Sequence, residues 1–263
     1  MVRSTNRSSQ CILLVSAPLV VQPGQKLFGS TGAIIRRDAA GLDFGAKLRQ
    51  GLLQVQGNGR GGVTLCNLTF QNNGPGGSCL EWHGDPSSLV IDCNFLNIGG
   101  SPDPSINIDE GGGYFEESWN PGPGAIGVTV HSQKPLWLCS FQPEHYKTAS
   151  IQLSRSQKVG LVNIELESVA TNADTFGTQI RIQDSQEVYG YGLIAGNWQK
   201  SRAPDLIRLE GNNGVRLWGI NAVNVSHLVT VLDKISSKAY GKESTGYQDI
   251  DASVLAGFLE NGK

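Results

Sequence analysis

Ile151-Gln-Leu-Ser-Arg-Ser-Gln-Lys-Val-Gly-Leu161, Ile180-Arg-Ile-Gln-Asp-Ser-Gln-Glu-Val-Tyr-Gly190 and Ile207-Arg-Leu-Glu-Gly-Asn-Asn-Gly-Val-Arg-Leu217 align without a gap. Each opens on alternating apolar residues, puts Ser156, Ser185 or Asn212 at the same turn position, and resumes at Val159, Val188 or Val215. Alternation marks a strand with one buried face, and a small polar residue between two strands hydrogen-bonds the backbone at a bend. The repeats start 29 and then 27 residues apart, a period that identifies a solenoid. Val63-Thr-Leu-Cys-Asn-Leu-Thr-Phe70 and Leu89-Val-Ile-Asp-Cys-Asn-Phe95 carry the theme upstream, and glycine-rich loops at Gly111–Gly113 and Asn120–Gly124 interrupt it. The expected fold is all-β: a single-stranded, right-handed parallel β-helix occupying residues 1–263 as one domain. Residues 1–20 are expected to form a first strand or N-terminal cap. Residues 240–263 form a C-terminal cap, with Asp249–Phe258 a short helix or capping strand.

Composition agrees. The chain has 34 glycines and only 17% charged residues, which suits short strands and tight turns better than a helical bundle. A formal charge of −2 without a basic run offers no footprint for nucleic acid or an anionic membrane. No apolar stretch reaches the roughly 18–20 residues that span a bilayer. The run Cys11–Val21 has the outline of a signal peptide, but Ser16 and Pro18 break it and no small-residue cleavage site follows, so it reads as a strand.

Five cysteines without CxxC spacing argue against a zinc site. Cys66 and Cys93 are expected to stack on successive turns, free or bridged. His83, His131, His145 and His227 show no ligand spacing, so neither a metal nor a cofactor is expected. Gly57-Asn-Gly-Arg-Gly-Gly62 satisfies GxGxxG, yet the strand-like Val63-Thr-Leu follows where a dinucleotide site needs a helix. It reads as a turn.

Glu144 and Glu167 lie 23 residues apart, close to one turn of such a coil. Their strands would then be neighbours, about 4.8 Å apart. Two facing carboxylates are the equipment of glycoside hydrolysis. From spacing alone the simpler reading, two solvated glutamates at strand edges, is favoured over a catalytic pair. Among five tryptophans, Trp82 and Trp119, near Glu81 and Glu116-Glu117, are candidates to stack on sugar rings. Trp137 and Trp218 lie in apolar strands, where core packing explains them at least as well as sugar stacking.

In order and spacing, Gln25-Lys-Leu-Phe-Gly-Ser30, Gly74-Pro-Gly-Gly-Ser-Cys-Leu-Glu-Trp82, Gly113-Tyr-Phe-Glu-Glu-Ser-Trp119 and Pro135-Leu-Trp-Leu138 followed by Glu144-His145 resemble the second β-helix of the exo-β-1,3-glucanases of glycoside hydrolase family 55, within the pectate-lyase-like superfamily. The resemblance implies an inverting hydrolase of β-1,3-glucan with Glu167 as general acid and Glu144 positioning the attacking water. It also implies Gln152 and His145 as partners of the water or sugar, and a secreted protein. That family builds its cleft between two β-helices, so a second β-helix domain or subunit is an implied partner. Two other readings stay open. One is a non-catalytic β-helix that binds glycan or serves assembly; the other is a pectate-lyase-like enzyme, for which no calcium-binding cluster stands out.

Overall fold

The computed structural model describes residues 3–7, 10–30, 32–38, 50–57, 61–99, 101–122, 124–167, 178–196, 203–223, 225–232 and 238–244. Among them the chain is all-β and winds as a parallel solenoid of three sheets. It visits the sheets in a fixed order. Leu19–Val21 starts the second sheet, Lys26–Phe28 the third, and Ile34–Arg37 lies in the first; Leu53–Val55, Thr64–Cys66 and Thr69–Asn72 repeat the circuit one rung on. The pairings between described strands are parallel except that of Arg3–Arg7 with Gln10–Val15, an antiparallel pair docked on Ile34–Arg37.

The alignment read from sequence is the register of the second and third sheets. Ile151 pairs with Ile180 and Ile180 with Ile207; Val159 pairs with Val188 and Val188 with Val215. Inward positions of these two sheets are mostly apolar and buried, and aromatic rings pack against one another in the core. Phe70 and Phe95 stack at 5.4 Å, while Phe115 meets Trp82 and Phe141 edge-on.

Two sets of corner residues make the coil turn. Between the third and first sheets seven successive turns, from the second circuit on, bend through one left-handed residue each: Asn67, Asp92, Glu117, Ser140, Asn163, Gly192 and Gly219, with φ between 48° and 67°. Each of the first six donates its N–H to the residue preceding the next corner, as Asn67 does to the carbonyl of Ile91 and Gly192 to that of Trp218. Asn, Asp and Gly bear this conformation at least cost. Between the second and third sheets runs a buried hydroxyl column. Ser132 N–H donates to Ser156 Oγ at 3.2 Å, Ser156 N–H to Ser185 Oγ at 3.1 Å, and Ser185 N–H to Asn213 Oδ1 at 2.9 Å. The terminal member is Asn213, not the Asn212 of the ungapped alignment. Asn212 is exposed, and the longer amide side chain of the next residue reaches inward to the same N–H.

Other expectations change on contact with the structure. Cys66 pairs with Ile91 on an outer face while Cys93 is buried, so the two thiols do not stack, and all five cysteines are free. Trp137 lies on the outer face between buried Leu136 and Leu138, and Trp218 is exposed; neither is core. Space for the Trp137 ring comes from Gly160 on the next rung, where an added Cβ would stand 2.1 Å from Cε3. The strand Thr64–Cys66 follows the glycine-rich Gly57–Gly62, whose residues 58–60 lie outside the described residues. So do Trp198 and the expected C-terminal cap from residue 245 onward.

Candidate functional site

The candidate pair lies where Gln142–Glu144, the last strand of the first sheet, meets Glu165–Glu167 on the next rung. Trp119–Pro121 stacks under Gln142–Glu144, with Trp119 beside Gln142 and Pro121 beside Glu144. On the next rung Glu165 N–H donates to the carbonyl of Phe141, and His145 N–H to that of Glu167 at 2.9 Å. These two bonds set Gln142 opposite Glu165 and Glu144 opposite Glu167. Pro143, which has no N–H, sits between them and thins the ladder. Alternation then does the rest: Pro143 and Leu166 point into the core, and the Gln142–Glu165 and Glu144–Glu167 pairs point out.

Outside, the two columns are cross-linked. Trp119 Nε1–H donates to Glu144 Oε2 at 2.9 Å, and the Gln142 amide donates to Glu165 Oε2 at 2.6 Å. His145 follows Glu144 in a left-handed turn, φ 68°, which brings its Nε2 to 3.6 Å from Glu144 Oε2. One carboxylate oxygen from each of Glu144 and Glu167 and one nitrogen of His145 all lie within 4.8 Å of one another.

Glu144 is the buried member, with 8% of its surface accessible, whereas Trp119 is 40% exposed beside it. Burial is the main reason its carboxyl holds a proton more tightly than an ordinary glutamate. The Trp119 hydrogen bond and His145 oppose that effect, and Glu167 and Glu165 reinforce it through like charge. Two carboxylates and an imidazole are also a ligand set for a divalent cation. No spacing among the histidines and cysteines marks this group in the sequence. Here the grouping arises from rung pairing.

Of the residues predicted from sequence, the structure therefore brings together Trp119, Glu144, His145 and Glu167. Trp82 is corrected: it is fully buried, packs on Phe115, and donates its Nε1–H to the carbonyl of Gly112 at 2.8 Å. It cannot line a groove. Alternation explains this, since Leu80 and Trp82 share the inward face. Glu81 and Gln152 project from the second sheet, in the outward column Glu81, Asn107, Thr129, Gln152. They stand three rungs apart, roughly 14 Å, so Glu81 joins neither Gln152 nor the pair. Glu81 instead accepts the Gly51 N–H at 2.5 Å, and burial raises its carboxyl. Gln142 is the site residue the sequence reading missed; its place two residues before Glu144 was the available signal.

No family model matches the chain, and no curated protein matches it. Solved structures do. The enzymatically active domain of tailspike protein 2 of bacteriophage CBA120 is similar at a TM-score of 0.55 and 12% identity, over 87% of this chain and 38% of that one. The full-length tailspike protein 2, described from an Escherichia coli O157:H7 bacteriophage, gives a TM-score of 0.56 and 11% identity, over 85% of this chain and 34% of that one. The chain thus spans little more than a third of those proteins, and the likeness is one of fold. A catalytic unit of a GH87 α-1,3-glucanase from Streptomyces thermodiastaticus superposes more loosely, at a TM-score of 0.28 and 9% identity, over 90% of this chain and 65% of that one.

Proposed function

We propose that this chain is a glycan-processing β-helix in which Glu144 and Glu167 cleave a glycosidic bond, with β-1,3-glucan as the substrate. One observation carries the reading: two glutamates on successive rungs face outward within 4.8 Å of each other, beside an exposed tryptophan that hydrogen-bonds one of them. Trp119 offers a flat face for a sugar ring while its N–H fixes the carboxyl that would act on it.

Burial argues for an assignment opposite to the one the family resemblance implies. Glu144, with its raised proton affinity, suits the general acid that protonates the leaving oxygen. Glu167, more open to solvent, suits the second carboxylate. An inverting course needs roughly 6.5–9.5 Å between carboxyl groups to admit water, and a retaining course about 5–5.5 Å. The present separation favours the retaining course, and inversion would require Glu167 to swing away from Glu144. A polysaccharide substrate further implies action outside the cell and, by the family resemblance, a second β-helix domain or subunit to close the cleft.

Reducing-sugar release from laminarin tests the proposal, with the product anomer followed by NMR. Glu144→Gln and Glu167→Gln should each lower the rate at least about a hundredfold while leaving the fold intact. Equal activity in either variant sinks it. A second reading, a glycan-binding module without hydrolysis, draws on Trp119 lying on an open wall. Laminarin binding by the wild-type chain without any product would select that reading.

A further inference from the structure

Behind the candidate wall, inside the solenoid, lies a group of polar side chains that neither the core nor the proposed chemistry uses. The inward column of the first sheet passes from Arg37 through Asn72 to Asn97. Asn72 is fully buried and well provided for. Its Nδ2 donates to the carbonyls of Gly76 and Gly77, and its Oδ1 accepts from Gly74 N–H and Arg37. Asn97, its direct neighbour one rung on, is equally buried, yet neither its Oδ1 nor its Nδ2 has a protein partner.

Three further groups converge there. Asn120, fully buried on the following rung, accepts the Tyr146 hydroxyl at 2.7 Å on Oδ1 but leaves Nδ2 unmatched. Ser105 Oγ, also fully buried, is unmatched. It lies near the Tyr146 hydroxyl and the Cys79 thiol without a well-aligned hydrogen bond to either. Gly122 and Gly124 bring these groups to one spot. A Cβ on Gly122 would stand 3.2 Å from Tyr146 Oη and 3.2 Å from Asn97 Cβ, and one on Gly124 would stand 2.9 Å from Asn97 Nδ2.

Four orphaned atoms around one tyrosine, each on a fully buried side chain, are far from the rule that buried polar groups are matched. Each unmatched group opposes folding, and a buried water typically serves two to four such groups. We propose that the interior bounded by Asn97, Ser105, Asn120 and Tyr146 is a built binding site for one or two water molecules. These bridge Asn97 to Asn120 and Ser105. The inference is independent of the hydrolytic reading. Asn120 and Tyr146 adjoin Trp119 and His145, so the bound water underpins the backbone that presents those two side chains to Glu144.

The test is a crystal structure of the whole chain at about 2 Å or better, with water-oxygen-17 relaxation dispersion in solution. Density for water is expected at roughly 2.7–3.2 Å from Asn97 Oδ1 or Nδ2 and from Asn120 Nδ2 or Ser105 Oγ. The dispersion signal of a long-lived internal water is expected to fall in Asn97→Leu. Empty density, a bound ion, or amides turned onto protein partners overturns the proposal. Asn97→Leu also carries a sign. Stripping partners from bound water should shift the folding equilibrium toward the unfolded state at least tenfold, whereas removing an unmatched amide from a dry pocket would stabilise the fold. A more stable leucine variant therefore refutes the site. If that variant does not fold, wild-type density and relaxation decide alone.

Discussion

Replacing Ser156 by alanine removes one oxygen from the corner column and should cost more than its size suggests. Ser156 Oγ accepts the Ser132 N–H at 3.2 Å and donates to the carbonyl of Val130 or of Ser154, at 3.0 and 3.2 Å. Ser132 and Ser156 are both fully buried, so water cannot take over. The apolar area lost is negligible, so the penalty comes mainly from the stranded Ser132 N–H, about 1–3 kcal/mol. For a chain of this length each kcal/mol shifts the melting temperature by roughly 2–4 °C. Urea denaturation followed by tryptophan fluorescence should show a lower midpoint with an unchanged slope, since the surface exposed on unfolding is the same. Ser185→Ala, which strands Ser156 N–H, should behave alike. A change below about 0.5 kcal/mol in both variants would refute the claim that this column holds the corner.

Three other outcomes follow from the site and its surroundings. Glu144 has a raised proton affinity in the folded state, so its contribution to stability is fully present below the ordinary carboxyl range and is lost as pH rises through the raised folded value. Glu144→Gln should therefore gain on the wild type in urea midpoint from pH 4 toward pH 8, and a gap that is constant or narrows would contradict the assignment. Trp119→Phe keeps the ring but deletes the N–H that opposes the raised proton affinity; under the proposed function the pH profile of glucan cleavage should move to higher pH, and an unmoved profile would exclude Glu144 as the titrating group. Gly160→Ala places a methyl 2.1 Å from the Trp137 ring, so the indole must leave the sheet and its emission shift to the red; unchanged emission would mean that the ring is not seated there.

The fold was largely legible because its cause is local and repeated. The isoleucines at 151, 180 and 207 define the rung register, and small polar residues fall at corners where backbone bonds must be matched. Legibility failed where one residue of offset decides the outcome. The choice between Asn212 and Asn213 turns on side-chain reach, and the inward placing of Trp82 turns on whether parity or motif is followed. The outward Trp137 was hidden because its neighbours are apolar and its space comes from a glycine on another rung. At the site, spacing and resemblance located Glu144 and Glu167. The raised proton affinity of Glu144 depends on burial and on through-space neighbours, Trp119, Glu167 and Glu165, none of them adjacent to Glu144 in sequence.

Because Glu144 and Glu167 belong to consecutive rungs, their distance is set by the hydrogen-bond repeat of the backbone. A loop-borne pair can drift by fractions of an ångström as loops lengthen; this one changes in steps. The available offsets are one rung or two, about 4.8 or 9.6 Å, with only rotamers and the choice between aspartate and glutamate as fine adjustment. A coiled scaffold of this kind therefore offers a short menu of carboxylate spacings, and under the proposed hydrolytic function moving an acidic residue by one whole turn would switch the stereochemical outcome without any new architecture.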